Sequence, residues 1–182
     1  KRQNSFDDFH AVADDLVASR LTTPGHIAAS GRSNGGVLVG AVANQRPDLY
    51  GAIISGSPLI DMKRYNKLLA GASWMAEYGN PDVPADWAFM REWSPYQNMR
   101  DTPDVPAAFY YLSTLDDRVH PGHARDGTRV VSQMCCMVDL KLGSADEYVM
   151  ALAQFLFDLL ADDSDAKLTV LVDTRPLAGA PN

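Results

Sequence analysis

The sequence predicts an α/β fold: a mostly parallel sheet with helices on both faces. Three observations carry that expectation. Short apolar runs bounded by turn residues alternate with segments of helical periodicity, the pattern of strands buried on both sides and joined by crossover helices. A glycine-rich corner, Gly31-Arg32-Ser33-Asn34-Gly35-Gly36, stands between one such run and a helix of small residues. The chain has 182 residues, 46% hydrophobic and 21% charged, which suits one domain over residues 1–182 with a core of its own.

The elements follow in order. Asn4 or Ser5 caps a first helix with Asp7 and Asp8 in its opening turn, and Phe6, Phe9, Ala13, Leu16 and Val17 share one face at spacings of three and four. Leu21-Thr22-Thr23-Pro24-Gly25 ends it. His26 to Ala29 is the strand entering the corner, and Val37 to Ala43 continues as the helix leaving it. Arg46-Pro47-Asp48 breaks that helix, and Tyr50 to Ser55 reads as a second buried strand. From 58 to 99 the chain makes a long excursion rich in Trp, Tyr, Met and Pro, which suits a lid or pocket wall. Ala107 to Ser113 is a third strand, running into Asp116-Asp117-Arg118, and Pro121 opens a helix to about Met134. Cys136 to Leu142 reads as a fourth strand. Ser144-Ala145-Asp146-Glu147 is a capping box for a helix with Tyr148, Leu152, Phe155, Leu156 and Leu159 on one face. The tail holds one more apolar run, Leu168 to Val172, before a Pro/Gly-rich end.

Composition excludes several classes of function. A net charge of −7 argues against nucleic-acid binding, and no apolar run is long enough to cross a bilayer. Cys135 and Cys136 are sequence neighbours, too strained a pair for a disulfide, and read as core residues of a reducing, cytoplasmic compartment. The N-terminus, Lys1-Arg2-Gln3-Asn4, leads into an amphipathic segment, not the apolar core of a signal peptide.

Gly31-x-Ser33-x-Gly35 is the pattern of a nucleophile elbow, in which a strand turns sharply into a helix and holds a serine out at the bend. The glycines have a physical reason, since so sharp a turn leaves no room for a Cβ beside the serine. A plain glycine turn at a strand end is the alternative.

A wider set of motifs resembles a known family. Gly31 to Gly36, Asn44-Gln45-Arg46-Pro47-Asp48-Leu49-Tyr50, Asp61-Met62, Ala72-Ser73-Trp74-Met75-Ala76-Glu77-Tyr78-Gly79, Ser94-Pro95-Tyr96 and Asp116-Asp117-Arg118-Val119-His120-Pro121 are together similar to the catalytic domain of prolyl oligopeptidases, in the manner of their bacterial branch. The likeness runs nearly continuously from Lys1 to Ala124. It implies an α/β-hydrolase fold, lacking the family's N-terminal strands, and a serine nucleophile at Ser33. It further implies an oxyanion donor in the backbone N–H of Asn34, a triad carboxylate at Asp116, and a substrate-carbonyl ligand at Arg118. Trp74 would be an apolar wall for a proline ring, and Tyr78 and Val119 would line the same pocket. Each has a plainer alternative: Asp116 as a turn cap, Trp74 as lid core, Arg118 as an ion-pair partner of Asp117.

Two departures from the family matter. Its catalytic histidine sits in a Gly-Gly-His-Gly loop, whereas here Leu140-Lys141-Leu142 runs directly into Gly143-Ser144. The histidines are His10, His26, His120 and His123. Three accounts compete: recruitment of His120 (or His123) near Asp116, a loop belonging to the polypeptide but not to this sequence, or a degenerate hydrolase that binds without turnover. The family also has strands, a tyrosine oxyanion donor and a β-propeller ahead of the point where this sequence starts. The sheet edge so opened has to be covered by a partner chain, as in a homodimer, by the 168–172 run, or by the N-terminal segment.

The reading is therefore a serine hydrolase that works by acyl transfer on small esters, lactones or peptides, with Ser33, Asp116 and His120 as the catalytic set and no cofactor. The alternative is a non-catalytic binding or assembly module. Asp116, Asp117, His120 and His123 are close enough in sequence to suggest a divalent metal, but a solvated turn carrying one triad carboxylate is the stronger reading.

Overall fold

The computed structural model describes residues 1–130, 135–139 and 169–172. Five strands form one parallel sheet in the order β4-β3-β2-β1-β5. These are β1 (Ile27–Arg32), β2 (Ala52–Gly56), β3 (Ala107–Leu112), β4 (Cys135–Asp139) and β5 (Thr169–Val172). The helices are α1 (Arg2–Ala18), α2 (Asn34–Gln45), α3 (Met75–Tyr78), α4 (Pro84–Met90), α5 (Pro95–Asn98) and α6 (Gly122–Val130), with 3₁₀ turns at Tyr65–Lys67 and Leu69–Trp74.

Register follows from the apolar runs. Ala29 lies opposite Ile53 and Ile53 opposite Ala108, so these side chains share one face. That face, with Ile27, Tyr110 and Leu112, is buried in a single cluster with Val37, Val39 and Val42 of α2, Phe6 and Ala13 of α1, and Ala124 of α6. Each large apolar side chain so buried contributes about 2 kcal/mol of transfer free energy. On the opposite face Ala28, Ile54 and Phe109 are also buried, as a sheet covered on both sides requires.

The first helix begins earlier than its sequence suggests. It starts at Arg2, with Lys1 at its cap and no acid in its first turn, instead of at Asn4 or Ser5. Tertiary contacts override the local capping signal: Arg2 reaches Asn34 and Glu77 and lies 4.3 Å from the ring centroid of Tyr78, which pins the extra turn. The expected apolar face holds, with Phe6 and Ala13 buried and Phe9 and Val17 packed against the cluster.

The excursion between β2 and β3 is a string of short helices. Ile60, Met62, Tyr65, Met90 and Trp93 are buried in the core cluster, and α5 packs on α2, where Gly40 leaves room for Pro95. It is bonded both to the corner and to the loop that follows β3. Leu59 N–H donates to the carbonyl of Ser33 (3.4 Å), and Ala70 N–H to that of Arg118 (3.3 Å).

β5 settles how the outer edge of β1 is closed. Ile27, Ala28, Ala29 and Ser30 pair with Thr169, Val170, Leu171 and Val172 in sequence order, so the edge of β1 is covered from within the chain, by the 168–172 run, and β5 becomes the outer strand of the described sheet. β4 begins at Cys135, one residue before its expected start. The expected helix from Ser144 and the end of the 121–134 helix lie outside the described residues, as does the 140–143 junction.

Candidate active site

The strand-to-helix corner has the geometry its glycines require. Ser33, between β1 and α2, has φ +58° and ψ −113°, a conformation that non-glycine residues hold only when their surroundings enforce it. The enforcement is visible. A Cβ on Gly31 would lie 2.3 Å from the carbonyl oxygen of Gly35, and one on Gly36 2.9 Å from Cα of Pro58. Ser33 N–H donates to the carbonyl of Gly56 at 2.9 Å, tying the bend to β2. Gly36, which the three-residue pattern does not include, is thus as tightly hemmed in at the corner as a glycine of the pattern, Gly31. We expect Gly31→Ala to destabilise the fold by about 3 kcal/mol or more, since the clash is with backbone that cannot swing aside. A urea unfolding midpoint equal to that of the parent chain would refute this.

The corner lies at the carboxyl end of β1, and neighbouring strand ends supply its surroundings, as open parallel sheets do. A hollow of about 320 Å³ there is lined by Arg32, Ser57, Tyr111, Ser113, Leu115, Asp116, Asp117 and Arg118. Asp116 Oδ1 accepts the backbone N–H groups of Arg118 (3.0 Å) and Val119 (2.8 Å). Burial alone would raise its pKa, but these two N–H groups, the hydroxyl of Ser57 and the Arg118 guanidinium outweigh it and hold the carboxyl below the usual range. Asp116 thus caps its turn and is also a fixed anion. Arg118 Nη1 donates to Ser33 Oγ at 3.4 Å, a long bond, and among the described residues it is the hydrogen-bond partner of that hydroxyl.

On the other side, Asn34 opens α2, where unpaired N–H groups and the helix dipole favour negative charge. Its side chain is locked: Oδ1 accepts from Arg2 Nη1 (3.0 Å) and from the Tyr78 hydroxyl (2.8 Å). Tyr78, expected in the pocket wall, is instead buried beneath the corner, edge-on to Tyr65 with centroids 5.6 Å apart. Its burial pushes the phenol up to about 12, so it stays a proton donor to Asn34 at neutral pH. Val119 is buried in the core, while Trp74 is half-buried against the same cluster.

The histidines are engaged elsewhere. His120 Nδ1 accepts the Gly122 N–H at 2.9 Å, which places its ring proton on Nε2; a base oriented by Asp116 would carry that proton on Nδ1. His123, 1% exposed, accepts the Asp61 N–H at Nδ1 (3.1 Å). His10 lies between Tyr50 and Gln45, and His26 meets Thr23. The structure therefore links Ser33, Asn34, Asp116 and Arg118, and among the described residues no hydrogen bond joins His120 to Ser33 or Asp116. Nor does it gather the Asp116, Asp117, His120 and His123 donors: among the described residues no three such side chains converge as a metal site would need.

Sequence reasoning missed Ser57 and Arg2. Ser57 was open to inference, because it follows β2 at the strand end adjoining the corner, where site residues gather. Arg2 carried no signal, since its role comes from the long-range packing of α1.

Residues 1–133 match the prolyl oligopeptidase family. The chain is 49% identical over 124 residues to an uncharacterized peptidase of Sinorhizobium fredii, covering 68% of this chain and 17% of that protein. It is 36% identical over 138 residues to a prolyl endopeptidase of Elizabethkingia miricola, covering 75% and 20%. The solved structure of a post-proline cleaving enzyme from Rickettsia typhi superposes with a TM-score of 0.80 at 33% identity, over 88% of this chain and 25% of that one. The chain thus spans only a small part of the length of the relatives it matches.

Proposed function

The chain belongs to the prolyl oligopeptidase family and has its α/β-hydrolase fold, and from that premise we propose that it carries the nucleophile half of a serine peptidase site working by acyl transfer. Ser33 Oγ attacks the carbonyl carbon of a peptide or a small activated ester or lactone. The tetrahedral oxyanion is met by the Asn34 N–H at the start of α2, charge that exists only in the transition state. Collapse expels the amine or alcohol and leaves an acyl-serine, which water hydrolyses. Asp116 is the anionic member that supports the base, Arg118 holds a substrate carbonyl beside Ser33, and Trp74 offers an apolar surface for the side chain preceding the cut. Esters and lactones need less help from a general acid at the leaving group than amides do, so they are the expected first substrates.

The single observation that carries this reading is the enforced positive φ of Ser33, strain that a plain turn has no need to hold. The base is assigned to His120, which must exchange its bond to Gly122 N–H for one to Asp116, at a cost of about 1 kcal/mol. That engagement of His120, together with the burial of His123, is what favours the second reading, a hydrolase scaffold that binds without turnover. Incubation with a fluorophosphonate followed by mass mapping separates the two. Acyl transfer predicts modification at Ser33 that His120→Gln slows by about a hundredfold, the lower end for loss of a general base. No adduct at Ser33 in the parent chain would leave the binding module, and an adduct formed equally fast in His120→Gln would free His120 of the role.

A further inference from the structure

We propose that the contact between Asp61 and His123 is a positioning clamp, holding the Asp116–Arg118 loop in register with Ser33; the proposal rests on Ser33 being the nucleophile. Asp61 is buried and lies just after the point where Leu59 N–H bonds the Ser33 carbonyl. Its backbone N–H donates to His123 Nδ1, on the first turn of α6, and that helix directly continues the loop bearing Asp116 and Arg118. Its carboxylate accepts from Gln97 Nε2 (2.7 Å), from the backbone N–H of Lys63 (3.2 Å) and from Arg64 Nε. Arg64 then bridges onward to Asp126, one turn further along α6. Two links, His123 and the Arg64 bridge, therefore fasten α6 to the segment that is itself bonded to the serine.

The helix itself packs against β3 and β4 of the sheet. The loop has ties of its own, Asp116 Oδ1 on the N–H groups of Arg118 and Val119 and the Ala70 N–H on the Arg118 carbonyl, and the clamp adds a further constraint on the distance between Asp116 and Ser33. That constraint needs an intact acceptor at position 123, and the imidazole qualifies only in its neutral form, because a protonated Nδ1 would point a hydrogen at the Asp61 N–H.

The test uses His123→Leu, which removes the acceptor, His123→Asn, which retains one, and Arg64→Met, which cuts the bridge at its exposed end. Each is compared with the parent chain by the saturating rate of fluorophosphonate modification at Ser33, well below the melting temperature of every variant. His123→Leu is expected to slow that rate by about tenfold without changing the half-saturating reagent concentration, a fraction of the loss that a misplacement of about 1 Å brings. His123→Asn should recover most of it, and Arg64→Met should slow it about threefold, within the range seen for shell residues that only orient others. A role in stability alone would lower melting temperature and leave these rates equal, which would overturn the clamp while Ser33 kept its assignment. If His123→Leu does not fold, a parental rate in Arg64→Met overturns it equally. No modification of the parent chain would remove the reading of Ser33, and the clamp with it.

Discussion

Ser33→Ala is expected to abolish both turnover of an activated ester and fluorophosphonate labelling, a loss of about a thousandfold or more, while stability changes by less than about 0.5 kcal/mol. The two halves of that expectation have different origins. Ser33 is 7% exposed as a residue, and the hydrogen bond described for its hydroxyl is the long one from Arg118, so little folding free energy is lost with it. The backbone strain stays, because alanine is no more at ease than serine at φ +58°. Ser33→Gly provides the complement: it is equally inactive but relieves the strain, and should raise the unfolding free energy by about 1 kcal/mol. Residual ester turnover at the parental rate in Ser33→Ala would place the chemistry elsewhere. A glycine variant less stable than the alanine variant would mean that the corner is not strained.

A strong pH dependence of stability is the second large effect. Burial lowers the pKa of His123 from its ordinary 6.5 to about 4; Asp61 and Asp126 oppose that shift, and His120 and Arg64 add to it. The native state thus binds fewer protons than the unfolded chain between those two values, so stability rises with pH through the window. The contribution is complete above about 6.5 and gone below about 4, and amounts to about 3 kcal/mol. Asp116, held below the carboxylate range, acts in the same direction but lower on the pH axis, so the interval from about 5 to about 7 isolates the histidine. Urea midpoints taken across that interval should climb for the parent chain and stay level for His123→Asn. Parallel curves would show that position 123 does not titrate in this way.

Much of this was legible in the residues. The corner announced itself because its chemistry is local: a strand, a sharp bend and a helix within ten positions leave a glycine signature. The parallel sheet was legible for the same reason, each strand being a continuous apolar run. What stayed hidden depends on distant segments meeting. Tyr78 sits beneath Asn34 because α1 brings Arg2 across both, and no pattern within 72–79 reveals that. The capping residues near Asn4 were outvoted by the same arginine. His120 followed Asp116 closely enough to suggest partnership, but the turn that Asp116 caps directs the imidazole toward Gly122, a consequence of backbone geometry that sequence proximity does not encode.

The pairing of β1 with β5 has a kinetic corollary. The two strands that meet there come from opposite ends of the described chain, so closing that pair spends more loop entropy than any of the sequence-adjacent pairs does. β1, β2 and β3 follow one another along the chain, whereas the N–H and C=O groups along the outer side of β1 find their partners in β5, more than a hundred residues later. Until it arrives, the nascent sheet offers a sticky template, and chaperone dependence or misassembly in the cell should concentrate in that interval.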